Sequence, residues 1–365
     1  MRQIASIEIH AMVNELRSLH DSYLKKFYDL GNDSFRLLFS SATQSSVVYI
    51  KLLQAINLTT ITEEVDEPTN FAKGIRKRLL GKKLVSVRQH YSDRIIVLDF
   101  AGDEGYRLII EMFGKGNIIL TDKEYMTLLV YNIAKQKDRE TVPKAIYQFP
   151  ESIKVDVDSI TKEQLKQIAE KVSLSGERII KELSTNLDIG PLYLEDVLNR
   201  SLINPKSKGN ELQGNTLLVQ NMAEFFKNVK TPTPIIYSKE GEYVDYAIVP
   251  IIKYKDCDAI EFDTLSKAME KFYLSERTNL ERNEAELDQL KANIARQKEI
   301  LEELKTSEVQ CTASGHKIME NMNLINSIIN YINQKRRVTV EEMKENFGIV
   351  KSIDLKKKDV VIEVE

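Results

Sequence analysis

Most residues whose types and spacing could do chemistry fall between positions 71 and 122. The run from Lys73 to Arg94 holds eight basic residues, Lys73, Arg76, Lys77, Arg78, Lys82, Lys83, Arg88 and Arg94, against one acid, Asp93. The whole chain is net −3 over 365 residues, so this concentration is local. A basic face on an otherwise acidic protein suits a phosphate backbone. Asp93 and Arg94 are adjacent, just before an apolar run at 95–100. Taken alone, they read as a surface ion pair at a strand end, worth little. The guanidinium also suits a phosphate or a base edge, with Asp93 orienting it or accepting from an unpaired base. Metal chemistry is poorly supplied. Cys257 and Cys311 lie far apart, and with four histidines they build neither a disulfide framework nor a zinc site. No cofactor is expected.

The elements that must position these residues are legible as patterns. Phe71, Ile75, Leu79 and Leu80 recur at helical spacing, with Thr69 or Asn70 as the cap and Gly81 as the stop. Strands follow at 84–88, 95–100, 107–113 and 117–121, the last two joined by the Gly114-Lys115-Gly116 turn. Upstream, Ile9, Met12, Val13, Leu16 and Leu19 form one face of a first helix. Ser6 is its expected cap, and Glu8 sits in the first turn, where the helix dipole favours a carboxylate. Strands at 22–29, 34–39 and 46–52 come next, then a loop at 63–68 rich in acid and proline. The result is an α+β core with a mostly antiparallel sheet.

Beyond about 157 the character changes. Amphipathic helices fill 157–230, one opened by Ser159 or Thr161, two joined by Leu187-Asp188-Ile189-Gly190-Pro191. Pro232 and Pro234 mark the start of a small β segment, 231–263, whose Tyr237, Tyr243 and Tyr246 read as sheet packing rather than base stacking. From 265 to 305 there is no proline or glycine, and Leu280, Leu287, Ile294 and Leu301 repeat every seven residues, with Leu290 and Leu304 in the companion seam. Asn283 and Gln297 interrupt it. This is a coiled-coil pattern with register-setting polar positions, an arm over 264–335 that admits a homodimer through its unmatched seam. A short helix at 338–347 and a hairpin at 352–355 with 360–364 end the chain; His316 is a lone surface or packing histidine. No run approaches the roughly 18 apolar residues of a membrane span, and the start MRQIASIEIHAMVNEL is no signal peptide, so a cytoplasmic protein without membrane contact is expected.

Several of these stretches together resemble the NFACT family of ribosome-associated quality-control factors, of the archaeal and eukaryotic type. The likeness rests on the opening SIEIHAMVNEL, on Gln89 with Asp93-Arg94, on Ile110-Glu111-Met112-Phe113-Gly114-Lys115-Gly116-Asn117 followed by Ile-Ile-Leu, on the exit Tyr147-Gln148-Phe149-Pro150, and on Gly315-His316-Lys317-Ile318-Met319-Glu320-Asn321. The resemblance implies a multidomain α+β protein. Its parts would be a MutM-like N-terminal domain (1–156), a helix-hairpin-helix region (157–230), the small β segment, a coiled-coil arm, and a partial tip domain (336–365). It implies that the chain is a fragment, ending at Glu365 where a returning helix would begin. It further implies a factor that binds the large ribosomal subunit carrying peptidyl-tRNA and recruits tRNA, alanyl-tRNA foremost, for template-free alanine or alanine/threonine tailing of stalled chains. The subunit would make the bonds and the protein would position, so no enzyme is expected; an E3 ligase or another quality-control factor would meet the arm. By position, the family's tRNA-binding residues fall on Asp93, Arg94 and Glu8, where Glu stands for the usual Asp. Glu111, Asn117 and Gly190 are secondary candidates; for Glu111 and Asn117 hairpin scaffolding is the plainer role. Two other functions stand beside this one. Some bacterial members are described as fibronectin-binding, an adhesion role that no export signal supports. A MutM-like DNA-binding or lyase role is disfavoured, because Arg2 and Gln3 stand where those enzymes have their proline nucleophile and glutamate, and the zinc-finger cysteines are missing.

Overall fold

The computed structural model describes residues 2–62, 67–102, 105–135, 139–151, 156–212, 216–335, 338–354 and 359–363. Residues 63–66 of the expected 63–68 loop, residues 213–215, residues 355 and 364 of the expected hairpin, and the side chains of Leu280 and Asn283 lie outside the described residues. The chain divides into two compact units, Met1–Thr278 and Asn279–Glu365.

The first unit is organised on two antiparallel meanders. One is β1 (Tyr23–Gly31), β2 (Ser34–Ser40), β3 (Ser45–Lys51) and β4 (Ala55–Thr59). The other is β5 (Leu84–Gln89), β6 (Ile95–Phe100), β7 (Tyr106–Glu111), β8 (Asn117–Asp122) and β9 (Thr127–Val130). The β6 and β8 runs IIVL (95–98) and IIL (118–120) are apolar on successive residues because this second sheet is covered on both faces. Ile96, Leu98, Ile110, Ile118 and Leu120 enter the main core, while Ile95, Val97, Ile109 and Ile119 pack under Tyr147 on the outer face. A minimal pair, β10 (Ala134–Lys135) and β11 (Glu140–Thr141), follows.

Helix α1 (Ser6–Leu16) lies against β4 and β5 on one side and meets a later helix on the other, so nine of its residues are buried instead of one face. Its cap is not Ser6. Ala5 occupies the N-cap, its amide donates to Glu8 Oε2 at 2.8 Å, and the Ser6 hydroxyl is drawn away to donate to the Asp188 carbonyl. Helix α2 (Asn70–Leu79) opens as expected on Thr69, whose hydroxyl accepts from the Ala72 amide at 3.2 Å. It packs on β1 and β9, and Gly74 lets it approach Leu129, whose Cδ1 would lie 2.8 Å from a Cβ there.

Four helices come next: α3 (Lys162–Ser173, with a Thr161/Gln164 capping box), α4 (Ile179–Leu187), α5 (Pro191–Arg200) and α6 (Thr216–Lys230). A three-stranded sheet follows, ordered β13 (Glu242–Ala247), β12 (Ile235–Lys239), β14 (Asp258–Glu261). Tyr237 and Tyr246 are buried in it, in packing roles. Helices, small sheet and both meanders share one continuous hydrophobic core, which also takes in Leu265, Ala268, Met269 and Phe272 from the root of α7 (Leu265–Glu320). That root is fastened by a carboxylate from α1: Glu15 accepts from the Leu265 amide at 2.5 Å and the Ser266 amide at 3.1 Å.

In the second unit α7 continues, followed by α8 (Met322–Gln334), α9 (Val340–Phe347) and the hairpin β15 (Val350–Asp354) with β16 (Asp359–Ile362). Ile328, Val338, Met343 and Val350 form its core. Along α7, Leu287, Leu290, Ile294, Leu301 and Leu304 are exposed, as is His316.

Candidate nucleic-acid interface

The β5–β6 hairpin presents Asp93 and Arg94. Six apolar or alternating residues make each strand, and between them the chain reverses in a tight turn: His90 donates to the Ile95 carbonyl at 3.0 Å, and the Asp93 amide to the His90 carbonyl at 2.9 Å. The pair is not sealed inside the sheet. Arg94 reaches from the turn to donate to Gln3 Oε1 at 2.7 Å, in an exposed contact. The Asp93 side chain retains 15% exposure and lies 3.9 Å from His90 Nε2. Gln89 locks the turn onto α1, its amide donating to the carbonyls of Ser6 at 3.0 Å and Asp93 at 2.8 Å. Burial lowers the pKa of His90, and Arg88 lowers it further, which favours a neutral ring.

A second segment arrives at the same place. The turn between α4 and α5 docks on the start of α1 through Ser6 and the Asp188 carbonyl, and Asp188 feels the charge of Arg94. Burial pushes the Asp188 carboxyl above the usual range, and Arg94 draws it partly back. Gly190 has φ +93°, and a Cβ on it would sit 2.7 Å from the Ala5 Cβ. The bare face of Gly190, one of the secondary candidates, is filled by Ala5.

Glu8 lies inside the protein. It is fully buried, and its two oxygens accept from Arg2 (2.6 and 2.9 Å), from the Tyr193 hydroxyl (2.7 Å) and from the Ala5 amide (2.8 Å). Arg2 continues the network to Asp245 at 2.6 Å and the Tyr246 carbonyl at 2.7 Å, its guanidinium 4.4 Å above the Tyr246 ring. Burial, the largest single influence, would depress the Arg2 pKa; the Glu8 charge and hydrogen bond together with Tyr246 and Tyr193 outweigh it and hold the guanidinium above its usual range. Burial, then Glu8, raise the Tyr193 and Tyr246 phenols well above theirs. This carboxylate ties α1, α5 and β13 together and is not available to touch a ligand.

The eight basic residues do not form one face. Lys73 and Lys77 are exposed on α2, whereas Arg76 donates to the Phe27 carbonyl (2.7 Å) and Arg78 to that of Gly74 (3.3 Å). Lys82 and Lys83 lie in the α2–β5 connection, Lys83 paired with Asp21 at 2.7 Å. Arg88 is on the opposite face of the second sheet from α2, bonded to Asp99 (3.2 Å) and the Tyr125 hydroxyl (3.1 Å). Arg94 stands at the far end of β5 from Lys82 and Lys83, six strand residues away, or roughly 20 Å. Sequence proximity becomes spatial dispersion because a strand alternates faces and extends. Glu111 and Asn117 face each other across the β7–β8 hairpin. Glu111 pairs with Arg139 and accepts from the Tyr147 hydroxyl at 2.8 Å; Asn117 exchanges two hydrogen bonds with the Asn132 backbone at 2.8 and 2.9 Å. Both are scaffold.

Sequence reasoning passed over Arg2, Gln3, Tyr91 and Asp188. Arg2 had a signal, a charge three residues ahead of the N-cap of a buried helix; the others had none beyond their place beside Asp93-Arg94 and Gly190.

Two antiparallel meanders around a buried helix, with a helical layer and a small sheet sharing their core, define the class of fold. A chain of the *Staphylococcus aureus* fibrinogen binding protein has it too, superposing with a TM-score of 0.62 over 74% of this chain and 98% of that one, at 22% identity; likeness at that level speaks for the fold. The chain belongs to the NFACT family: the model of its N-terminal and middle domains matches residues 5–363. Relatives include the archaeal Rqc2 homolog aRqcH of Methanocaldococcus jannaschii, 23% identical over all of this chain and 58% of that protein. The ribosome quality control complex subunit NEMF of Homo sapiens is 24% identical over 74% of this chain and 28% of its own length. The chain thus spans a little over half of the first relative and less of the second.

Proposed function

We propose that this chain acts in ribosome quality control, binding a large ribosomal subunit that carries peptidyl-tRNA and recruiting tRNA, alanyl-tRNA foremost, for template-free alanine or alanine/threonine tailing of the stalled chain. The observation that carries this reading is the family match across nearly the whole chain, shared with relatives that are named as ribosome quality control subunits. In this reading the subunit makes the peptide bonds, the protein is a positioning factor in the cytoplasm, and the arm meets an E3 ligase or another quality-control factor. Arg94 is the RNA-facing cation, a planar fork suited to a phosphate or base edge, and Asp93 orients it or accepts from an unpaired base. Gln3, Asp188 and the locked turn hold that presentation, and Lys73 and Lys77 add a separate electrostatic contact from α2.

Co-sedimentation with large subunits bearing peptidyl-tRNA tests it. The chain is expected to sediment with the subunit at low salt and to be released steeply at moderate salt, as counterions replace phosphate contacts. Replacing both Asp93 and Arg94 by alanine should reduce tRNA retention; retention equal to that of the unmodified chain would remove the assignment of this pair.

A further inference from the structure

One residue of the β5–β6 turn is left over by everything above. Tyr91 has φ +46° and is 49% exposed. The left-handed region costs a bulky side chain conformational energy that glycine, asparagine or aspartate would largely avoid. The strain is accompanied by no burial that would offset it, and such outliers cluster where a ligand is met.

The ring is not loose. It meets His90 edge-on, with centroids 4.7 Å apart, and His90 lies flat on Phe149 at 3.8 Å and 13°. Phe149 is held edge-on by Tyr125 at 5.5 Å and Tyr147 at 5.0 Å. An aromatic series therefore runs from the covered outer face of the second sheet to the surface and ends on an exposed ring, within three residues of Arg94. Aromatic rings in such a place, in the same turn as Arg94, suit the face of an unstacked base.

We propose that Tyr91 is a stacking platform for an unpaired base of the bound RNA, and that Arg94 and Asp93 meet the edge or phosphate of the same nucleotide. This rests on the RNA-binding reading above and names its contact. Stacking is indifferent to which base is present, so Tyr91 supplies affinity for a single-stranded loop, while the neighbouring pair supplies whatever selectivity there is.

Two variants and two RNAs test it with the whole chain. Tyr91→Gly removes the ring and relieves the positive φ, so its fold is preserved or strengthened; Tyr91→Phe keeps the ring. One probe is a hairpin RNA with an unpaired loop, the other the same hairpin with abasic loop nucleotides, which keeps the phosphates. Tyr91→Gly should bind the intact loop about five- to a hundred-fold more weakly than the unmodified chain, and Tyr91→Phe should restore binding to within about two-fold. On the abasic loop, the glycine variant and the unmodified chain should bind alike. Equal binding of the intact loop by Tyr91→Gly and the unmodified chain overturns the stacking role and leaves the RNA reading standing. Binding of neither probe by the unmodified chain overturns both.

Discussion

Glu8 and Arg2 form an ion pair that reaches solvent only along the arginine, whose side chain is about a quarter exposed. Removing one partner of such a pair strands the other charge in a low dielectric. Glu8→Gln should therefore lower stability by about 3 kcal/mol, at the lower end of the usual cost because Asp245 still faces Arg2. Urea denaturation measures this, and a variant still folded at the assay temperature should keep its RNA binding. A folded variant that loses RNA binding would return Glu8 to a direct role. The same scale sets a pH dependence. His10 and His90 both have folded values depressed below the ordinary 6.5, first by burial. The unfolded chain then takes up protons before the folded one, so their contribution is complete above 6.5 and is lost as pH falls below it. Melting temperature should fall from pH 7 toward 5.5, and His90→Phe, which keeps the stack on Phe149, should make that slope shallower. Asp93 and Arg94 alone read as a surface ion pair at a strand end, and only the family resemblance singled them out as candidates. The network around Glu8 was not legible, since the Tyr193 hydroxyl meets it across 185 positions of sequence and Arg2 continues to Asp245 across 243, and no local pattern records such meetings.

The elements themselves were the most legible level. Strands at 34–39, 95–100 and 117–121 and the Thr69 cap were found within a residue or so, because alternation, doubly covered apolar runs and capping chemistry are local. The short strands β4, β9 and β14 escaped, having too few residues to show a period. Helix α1 was read as one apolar face, with Glu8 in the first turn for the helix dipole; the burial of Glu8 and His10 follows from layers that arrive later in the chain. How those layers dock can be tested at Gly190. Adding a methyl there meets Ala5 and also forces a side chain to φ +93°, so Gly190→Ala should cost about 2 kcal/mol. Amide exchange of the α4–α5 turn and the start of α1 should rise together. A parallel test is the root of α7: Glu15→Ala withdraws the cap from two helix-opening amides, should cost about 1 kcal/mol, and should speed exchange at Leu265 and Ser266. Unchanged exchange at those two amides would show that core packing of Met269 and Phe272 alone holds the root.

At the scale of the whole chain, charge and apolar surface are unevenly spent. The first unit buries most of its apolar residues in a main core and a smaller cluster under Tyr147, and α7 carries a row of them that is exposed. Leu287, Ile294 and Leu301 are spaced by seven and Leu290 and Leu304 by fourteen, all of them more than half exposed. Ion pairs such as Lys291 with Asp288 and Lys305 with Glu302 keep the polar side of the helix hydrated, at a few tenths of a kcal/mol each. They do nothing for the leucines, whose burial would contribute about 1.5 kcal/mol or more apiece. Heptad rows of this kind are satisfied by a second helix, so the isolated chain should self-associate through α7. Sedimentation equilibrium over a range of concentration should show a dimer, and replacing both Ile294 and Leu301 by lysine should return it to monomer. The melting of the first unit should be unaffected, because the substituted positions lie beyond Thr278 and distant sites add independently. A chain that stays monomeric at every concentration would leave the row to a different partner, and the same lysine pair would then be the variant with which to look for the loss of an arm-binding quality-control factor.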